Sequence, residues 1–284
     1  MDSFSRAGLH FRVADHGPSS AREDGAVVVC LHGFPQGPEA YDAVVPRLTA
    51  AGLRVLVPEQ RGYGAGARPP HRRDYALPEL VADVLALLDA LPDGVSTGPV
   101  HLVGHDWGGV VAWAFAAAHP DRLASLTVLS QAHPAAYRAA MTNSSQAWRS
   151  TYVGFFQLPV LPERLLTAGG GRLLAASLRR SGLPTDLAAG YARRHSAPGS
   201  LRAALGWYRA LPFAGGVGRV DVPTTYVRGT RDPFYAEAAV EGTAGRVRGP
   251  FRRVDLDTGH WIPELRPDAV AEAVLAAAQG PDRT

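Results

Sequence analysis

The segment Val100–Gly109, with the sequence VHLVGHDWGG, constrains the fold of this chain more than any other segment. Its first residues form a continuous apolar run, typical of a strand that is buried on both faces, and a helical pattern begins at Val110. Gly104 and Gly108 stand two residues before and after Asp106. Small residues at this spacing let a strand and the helix that follows it approach closely through a sharp turn. The segment therefore predicts a strand–turn–helix unit that holds Asp106 at the carboxyl edge of a sheet.

Apolar runs similar to this first strand recur along the chain, separated by segments with helical spacing. The runs are 26–31, 53–57, 126–129 and 224–227, with a weaker one at 251–256 and an alternating edge-strand pattern at 9–14. Strands that alternate with helices are typical of an α/β fold, in which a mostly parallel sheet carries helices on both faces.

The alternation stops between residues 132 and 218, where the pattern is helical and is interrupted by prolines and by Gly169-Gly170-Gly171. We interpret 132–218 as a helical cap inserted into a core formed by 1–131 and 219–284. The three glycines lack the Gly-Lys-Ser/Thr of a phosphate-binding loop, so they predict a turn between cap helices.

The composition excludes several classes of protein. The 284 residues carry a net charge of +3, and the basic residues are all arginine, in short scattered groups that do not predict a nucleic-acid-binding face. The longest apolar stretch, Gly108–Ala118, is shorter than the roughly 20 residues that a membrane span needs. Met1–Arg12 lacks the apolar region of a signal peptide. We expect a cytoplasmic protein, a monomer or homodimer, with no nucleic-acid or membrane partner and no metal or cofactor motif.

An aspartate at the centre of the turn has chemical consequences. The carboxylate of Asp106 is ionised at pH 7 without the help of a base, and the positive end of the following helix stabilises its charge. A carboxylate can displace a leaving group from a saturated carbon and form an alkyl ester, which a second step must hydrolyse. The alternative is that Asp106 only caps the helix.

Two further residues follow later strands in the order that a catalytic triad of this layout requires. Asp232 comes after the strand at 224–227, and His260 comes after the one at 251–256. The chain order is nucleophile, acid and histidine. His260 is predicted to be the general base that activates water, and Asp232 to orient it and stabilise its protonated form.

An oxyanion hole is predicted from a second loop, His32-Gly33-Phe34-Pro35, which follows the strand at 26–31. The backbone N–H groups of Phe34 and Trp107 would hold the negative oxygen of a tetrahedral intermediate on Asp106. Pro35 makes a cis Phe34–Pro35 peptide bond a candidate.

Four segments together resemble the soluble epoxide hydrolases, and in part the haloalkane dehalogenases. They are His32–Pro35, Arg61–Gly64, Gly104–Gly109 and Gly259-His260, and the resemblance covers nearly the whole chain. It implies the α/β-hydrolase fold, with a mostly parallel eight-stranded sheet flanked by helices and an inserted helical cap. Glu59 is a departure, since the family usually has aspartate at this position.

The same resemblance implies roles for two cap residues, Tyr152 and Tyr208, which stand in contexts similar to those of the family's ring-opening tyrosines. Two phenols could donate hydrogen bonds and a proton to the oxygen of an epoxide, which is a poor leaving group as an alkoxide. Apolar and aromatic side chains around them predict a pocket for a small hydrophobic epoxide. The candidate pocket residues are Trp148, Phe155, Phe156, Trp207 and Trp261.

Two alternatives remain at this point. Trp107 keeps open a haloalkane dehalogenase that uses the same triad, although Phe34 stands where a second halide donor would need an amide side chain. The other is a ligand-binding or biosynthetic-pathway protein that opens an epoxide with a nucleophile from the substrate. His260 argues against pure binding, which does not need a base.

Overall fold

The computed structural model describes residues 1–17, 26–91 and 98–279, so residues 18–25, 92–97 and 280–284 of the predicted core lie outside it. Its centre is an eight-stranded sheet with the strand order β1-β2-β4-β3-β5-β6-β7-β8. The strands are β1 Ser3–Arg6, β2 Leu9–His16, β3 Val27–Leu31, β4 Arg54–Pro58, β5 Val100–His105, β6 Leu123–Leu129, β7 Thr224–Gly229 and β8 Phe251–Leu256.

The six strands from β4 to β8 along the sheet are parallel, whereas β1 and β2 are antiparallel at one edge. The predicted mostly parallel α/β sheet is confirmed, and every residue of β3 and β5 is buried. The sequence patterns did not predict β1, because its four residues contain a single large apolar side chain, Phe4. β1 is held by its antiparallel pairing with β2. In addition, Phe4 stacks on Phe11 of β2 with ring centroids 4.6 Å apart.

Helices cover both faces of the sheet. The α-helices are α1 Val45–Ala50, α2 Leu77–Asp89, α3 Trp107–Ala118, α4 Pro134–Asn143, α5 Gln146–Arg149, α6 Thr151–Gln157, α7 Leu161–Arg180, α8 Thr185–Ser196, α9 Ser200–Ala204, α10 Gly206–Arg209, α11 Glu237–Ala244, α12 Ile262–Leu265 and α13 Pro267–Gln279. Apolar residues of α2 and α3 pack on one face of the sheet, and those of α1 and α13 pack on the other. No helix of the described residues is long and apolar enough to cross a membrane.

Helices α4–α10 follow one another between β6 and β7, where the sequence predicts the cap. Helix α7 is broken at Ala168–Gly171, because Gly169, Gly170 and Gly171 all have positive φ angles between 59° and 84°. The break lies at the glycine turn that the sequence predicts, and it divides α7 into two helical halves.

Side chains of α8 fasten the cap to the loops beside the sheet. Arg194 donates to Glu39 at 2.6 Å and to Glu59 at 2.9 Å, and Nε2 of His195 bonds to the carbonyl oxygen of Pro35 at 2.8 Å. Glu59 is the residue that departs from the family's usual aspartate, and it serves here as an anchor for the cap.

Candidate active site

Asp106 lies in the sharp turn between β5 and α3, with φ 50° and ψ −121°. The turn is compact enough that a side chain at either flanking glycine would collide with backbone. A Cβ atom on Gly104 would lie 2.4 Å from the carbonyl oxygen of Gly108, and one on Gly108 would lie 2.2 Å from that of Leu31. These contacts explain why the sequence has glycine two residues before and after Asp106.

The loop after β3 approaches the same carboxylate. The N–H of Phe34 donates to Oδ1 of Asp106 at 2.8 Å, and the Phe34–Pro35 peptide bond is cis. A Cβ atom on Gly33 would lie 2.4 Å from Cβ of Asp106, so only glycine allows this approach. Trp107 is the first residue of α3, where a backbone N–H has no acceptor within the helix. The predicted oxyanion-hole residues therefore lie on both sides of Asp106.

His260 connects the other two predicted triad members. Its Nδ1 donates to Oδ2 of Asp232 at 2.7 Å, and its Nε2 lies 3.7 Å from Oδ2 of Asp106. The other oxygen of Asp232 accepts the N–H of Phe234 at 2.8 Å, which fixes the carboxylate in the loop after β7. The structure thus brings Asp106, His260 and Asp232 together at the carboxyl ends of β5, β8 and β7.

Burial and charge oppose each other at this site. Burial by itself lowers the pKa of His260, but the carboxylates of Asp232 and Asp106 more than offset it and raise that pKa to about 10. Burial raises the pKa of Asp106, but the neighbouring His260 and the N–H of Phe34 outweigh it and hold that pKa below its usual value. Asp106 is consequently an anion at neutral pH, with one oxygen held by Phe34 and the other facing His260.

The cap places two phenols over these core residues. Tyr152 on α6 and Tyr208 on α10 have ring centroids 6.1 Å apart, and both line the cavity that contains Asp106 and His260. Burial raises the pKa of each tyrosine well above 10, and the negative charge of Asp106 raises both further. Both phenols therefore stay protonated and can act as donors.

The cavity has a volume of about 230 Å³ and mostly apolar walls. Of the predicted pocket residues, Phe155, Phe156 and Trp261 line it. Further lining residues that the sequence did not predict lie in α7, directly after it and in the loop after β7: Leu166, Leu174, Ser177, Leu178, Ser181 and Phe234. Leu174 and Leu178 have helical spacing that could have identified them, but the glycine break hides their phase relative to Leu166.

Two predicted pocket tryptophans do not line the cavity. Trp148 is 81% exposed, because Gln146 is the residue of the short helix α5 that faces inward, where its side chain bonds to Phe234 and Ala236. Trp207 is buried outside the cavity, and its indole N–H donates to the carbonyl oxygen of Arg61 at 2.7 Å. The prediction that Trp148 and Trp207 are pocket walls is therefore wrong.

The ring of Trp107 also lies outside the group of residues that line the cavity. It packs edge-to-face on Tyr208, with ring centroids 5.0 Å apart, and on Trp207. The residue that motivated the dehalogenase alternative therefore packs on the cap aromatics and does not line the cavity in which a halide would be held.

A buried group that the sequence analysis did not assign to the site supports the main chain of His260. Its carbonyl oxygen accepts the hydroxyl of Ser130 at 2.7 Å and lies 2.9 Å from Nε2 of His105. Nδ1 of His105 in turn lies 2.8 Å from Oε1 of Gln36. Burial lowers the pKa of His105 to about 3, so this histidine is a neutral support. No group of three His, Cys, Asp or Glu side chains that could hold a metal ion occurs within residues 1–17, 26–91 and 98–279.

Comparison with known proteins agrees with this geometry. The sequence profile of the α/β hydrolase fold family matches residues 26–267. The chain is 31% identical to epoxide hydrolase A of Mycobacterium tuberculosis over 94% of each chain. It is 30% identical to the AB hydrolase superfamily protein YfhM of Bacillus subtilis over 92% of each chain.

Solved structures show the same fold. The crystal structure of epoxide hydrolase A from Mycobacterium thermoresistibile superposes with a TM-score of 0.81 at 24% identity, covering 99% of this chain and 98% of the other. The sequence motifs, the fold and the curated relatives support the same assignment. The chain belongs to the epoxide hydrolase family of α/β-hydrolase-fold enzymes.

Proposed function

We propose that this enzyme opens a small hydrophobic epoxide to a vicinal diol through an alkyl ester on Asp106. The observation that carries the proposal is the position of the Asp106 carboxylate. One of its oxygens is held by the N–H of Phe34 at 2.8 Å, and the whole group lies in one cavity with His260, Tyr152 and Tyr208.

In the first step, Oδ2 of Asp106 attacks one ring carbon, and the bond between that carbon and the epoxide oxygen breaks. The oxygen takes a proton from Tyr152 or Tyr208, which becomes a phenolate. Proton donation is needed because an unassisted alkoxide is a poor leaving group. The product of this step is a hydroxyalkyl ester of Asp106.

The second step begins once His260 has given its proton to the solvent. His260 then removes a proton from water, and the water oxygen attacks the carboxyl carbon of Asp106. The N–H groups of Phe34 and Trp107 stabilise the resulting oxyanion. Collapse of the intermediate releases the diol oxygen, which takes the proton from His260. The carboxylic acid left on Asp106 gives up its proton, which restores the phenol.

The two steps are coupled through charge. The carboxylate of Asp106 contributes to the raised pKa of His260. Ester formation removes that negative charge, so the pKa of His260 falls at the moment when it must act as a base. Asp232 remains to orient the ring and to stabilise the imidazolium that forms during hydrolysis.

The cavity favours a compact apolar substrate. Its volume of about 230 Å³ is below the range of roughly 300–1,000 Å³ that is usual for pockets that hold drug-sized ligands. Phe155, Phe156 and Trp261 supply flat apolar walls beside the two phenols, which suits a terminal epoxide with a short alkyl or single-ring substituent.

The test is to trap the ester with His260→Gln, a variant that keeps the nucleophile but lacks the base. We expect intact mass to rise by the mass of one epoxide when the variant is mixed with small alkyl and aryl epoxides, and peptide mapping to locate the adduct on Asp106. The matched control is the double variant Asp106→Asn/His260→Gln, which should gain no mass.

The same experiment separates the alternatives. An adduct that forms only with haloalkanes would replace the proposal with a dehalogenase on the same triad. The absence of any adduct, together with tight epoxide binding that Asp106→Asn leaves unchanged, would favour a binding protein or a reaction in which the substrate supplies the nucleophile.

A further inference from the structure

Charge is distributed very unevenly between the two parts of the chain. Residues 132–218 contain ten arginines and two acidic residues, Glu163 and Asp186, for a net charge of +8. The remainder carries 19 arginines and 24 acidic residues, for a net charge of −5. The modest overall charge therefore conceals a strongly basic cap on an acidic core.

Many of the cap arginines are free to bind something else. Six of them are exposed and form no ion pair with any acidic side chain of the described residues: Arg164, Arg172, Arg179, Arg180, Arg193 and Arg202. Exposed core arginines are often paired instead, as in Arg47 with Asp268 and Arg231 with Asp257. The cap thus presents unneutralised guanidinium groups to its surroundings.

Exposed large apolar side chains follow the same division. Within the described residues, all of them lie between residues 148 and 213: Trp148, Leu158, Val160, Leu161, Leu165, Leu173, Leu211 and Phe213. Two of them, Leu158 and Val160, lie in the loop between α6 and α7. The backbone of this loop is unusual, because Val160 has a φ of 65°. A β-branched residue with positive φ is strained. Val160 is therefore a strained residue, and its side chain is 54% exposed.

Helix α7 combines these features on its two faces. Leu166, Leu174 and Leu178 are buried and line the catalytic cavity. Other positions of the helix are exposed and alternate between leucine and arginine: Leu161, Arg164, Leu165, Arg172, Leu173, Arg179 and Arg180. Ser177 lines the cavity and is also exposed, so the cavity reaches the surface beside the second half of α7.

We propose that the exposed face of α7 and the adjoining loop residues Leu158 and Val160 dock on the surface of an anionic lipid bilayer. Guanidinium groups bind phosphate through paired hydrogen bonds, and leucines between basic residues are suited to the boundary between headgroups and acyl chains. A lipophilic substrate dissolved in the bilayer would then enter the cavity beside Ser177, a consequence that rests on the proposed function, whereas the docking itself does not.

Charge decides between this occupant and a second copy of the chain. Two caps with a net charge of +8 each would repel each other, whereas anionic headgroups attract them. The apolar residues also protrude from a loop and from two helical halves that a glycine break separates, and a fluid bilayer accommodates such a surface without a matching shape. Docking of this kind needs no spanning helix, so it departs from the sequence-based expectation that the protein has no membrane partner.

The test is co-sedimentation of the full chain with vesicles of phosphatidylcholine, with and without phosphatidylglycerol. We expect binding only when phosphatidylglycerol is present, and release by added salt. Leu161→Ser/Leu165→Ser should weaken binding by about tenfold or more. Turnover of a water-soluble epoxide without vesicles should not change, because both side chains are exposed and neither lines the cavity.

A matched pair of charge variants locates the contact. Arg164→Gln/Arg172→Gln/Arg179→Gln should also weaken binding by about tenfold or more, whereas the core variant Arg231→Gln/Arg248→Gln/Arg253→Gln should change it by less than about twofold. Equal effects of the two triple variants would overturn the proposal, because net charge alone would then explain binding. Failure of the unmodified chain to bind phosphatidylglycerol, or binding that the leucine variant leaves intact, would overturn it as well. These outcomes do not depend on whether Asp106 forms an ester.

Discussion

Core residues reach the cavity from loops at the carboxyl ends of parallel strands of the central sheet, whereas the two cap tyrosines reach it from helices of seven and four residues. The core groups are fixed by short hydrogen bonds, such as those of 2.8 Å from Phe34 to Asp106 and 2.7 Å from His260 to Asp232. The cap groups are fixed by ring packing, since Tyr208 contacts Phe34, Trp107 and Phe156 with centroid distances of 4.9–5.3 Å.

In the proposed mechanism, this difference means that the two regions control different parts of the reaction. Hydrogen-bonded groups at strand ends set the positions of nucleophile, base and oxyanion donors, and these serve any electrophile that forms an ester. Packed aromatics of the cap supply the acid and the walls, which decide which electrophile reacts. Substitutions in the core should therefore impair ester hydrolysis, and substitutions in the cap should impair ring opening.

The largest effect is expected for Asp232→Asn. An amide at this position can no longer hold Nδ1 of His260 as a donor beside a negative charge, and comparable changes in other triads lower turnover by about 10⁴-fold. Rapid-quench kinetics should show that the ester on Asp106 still forms and then persists. Loss of ester formation with normal hydrolysis would reverse the assigned roles of core and cap.

Tyr152→Phe/Tyr208→Phe tests the cap side of the comparison. Removal of a general acid costs about 10²- to 10⁴-fold, and we expect the loss in the rate of ester formation measured by single-turnover kinetics. Each single variant should lose less than the pair. If the double variant formed the ester at the normal rate but hydrolysed it slowly, the phenols would belong to the second step.

The dependence on pH separates the two steps without mutation. The pKa of Asp106 is lowered and those of Tyr152 and Tyr208 are raised, so nucleophile and acid keep their reactive forms between about pH 5 and pH 9. Ester formation should be flat over this interval. His260 has a raised pKa and is a base only when deprotonated. Ester hydrolysis should therefore rise by up to about tenfold per pH unit below the pKa that His260 has in the ester.

A quenched-flow experiment over this pH range measures both rates. The contrary pattern, a flat hydrolysis rate with a pH-dependent rate of ester formation, would mean that His260 does not act as the base.

The smallest effects on catalysis are expected at the two tryptophans that were wrongly predicted to line the pocket. These two residues should instead differ in how much they stabilise the fold. Trp207 is 2% exposed and packs edge-to-face on Trp107, so Trp207→Ala should lower the free energy of unfolding by about 3–5 kcal/mol. Trp148 is 81% exposed, and Trp148→Ala should change that free energy by no more than about 0.5 kcal/mol. Chemical denaturation measures the free energy of unfolding of both variants. An equal loss in the two would contradict the expectation that the buried Trp207 stabilises the cap more than the exposed Trp148 does.

The sequence predicted that the core residues of the candidate site would lie close together, because its signals are local and the topology joins them. Asp106, Asp232 and His260 each follow a strand of the sheet, and parallel strands bring their carboxyl ends to one edge of the sheet. The glycines two residues before and after Asp106 indicate that the backbones of the strand and of the following helix approach closely, which only a few turns require.

The cap was less predictable for a physical reason. A helical pattern identifies an apolar face but not the surface against which that face packs, and the glycine break in α7 resets the phase of the pattern. Leu166, Leu174 and Leu178 were therefore missed as lining residues. Trp148 was misassigned because the inward-facing residue of α5 is the polar Gln146, whose hydrogen bonds cannot be read from hydrophobic spacing.

The central claim is that the water oxygen enters Asp106 before it enters the product. A single turnover of excess enzyme with an epoxide in water labelled with ¹⁸O tests it directly, with mass spectrometry of the diol and of the peptide that contains Asp106. The proposed mechanism predicts an unlabelled diol and a labelled Asp106 carboxyl group after the first turnover. A labelled diol with an unlabelled Asp106 would contradict it, because water would then have attacked the epoxide directly.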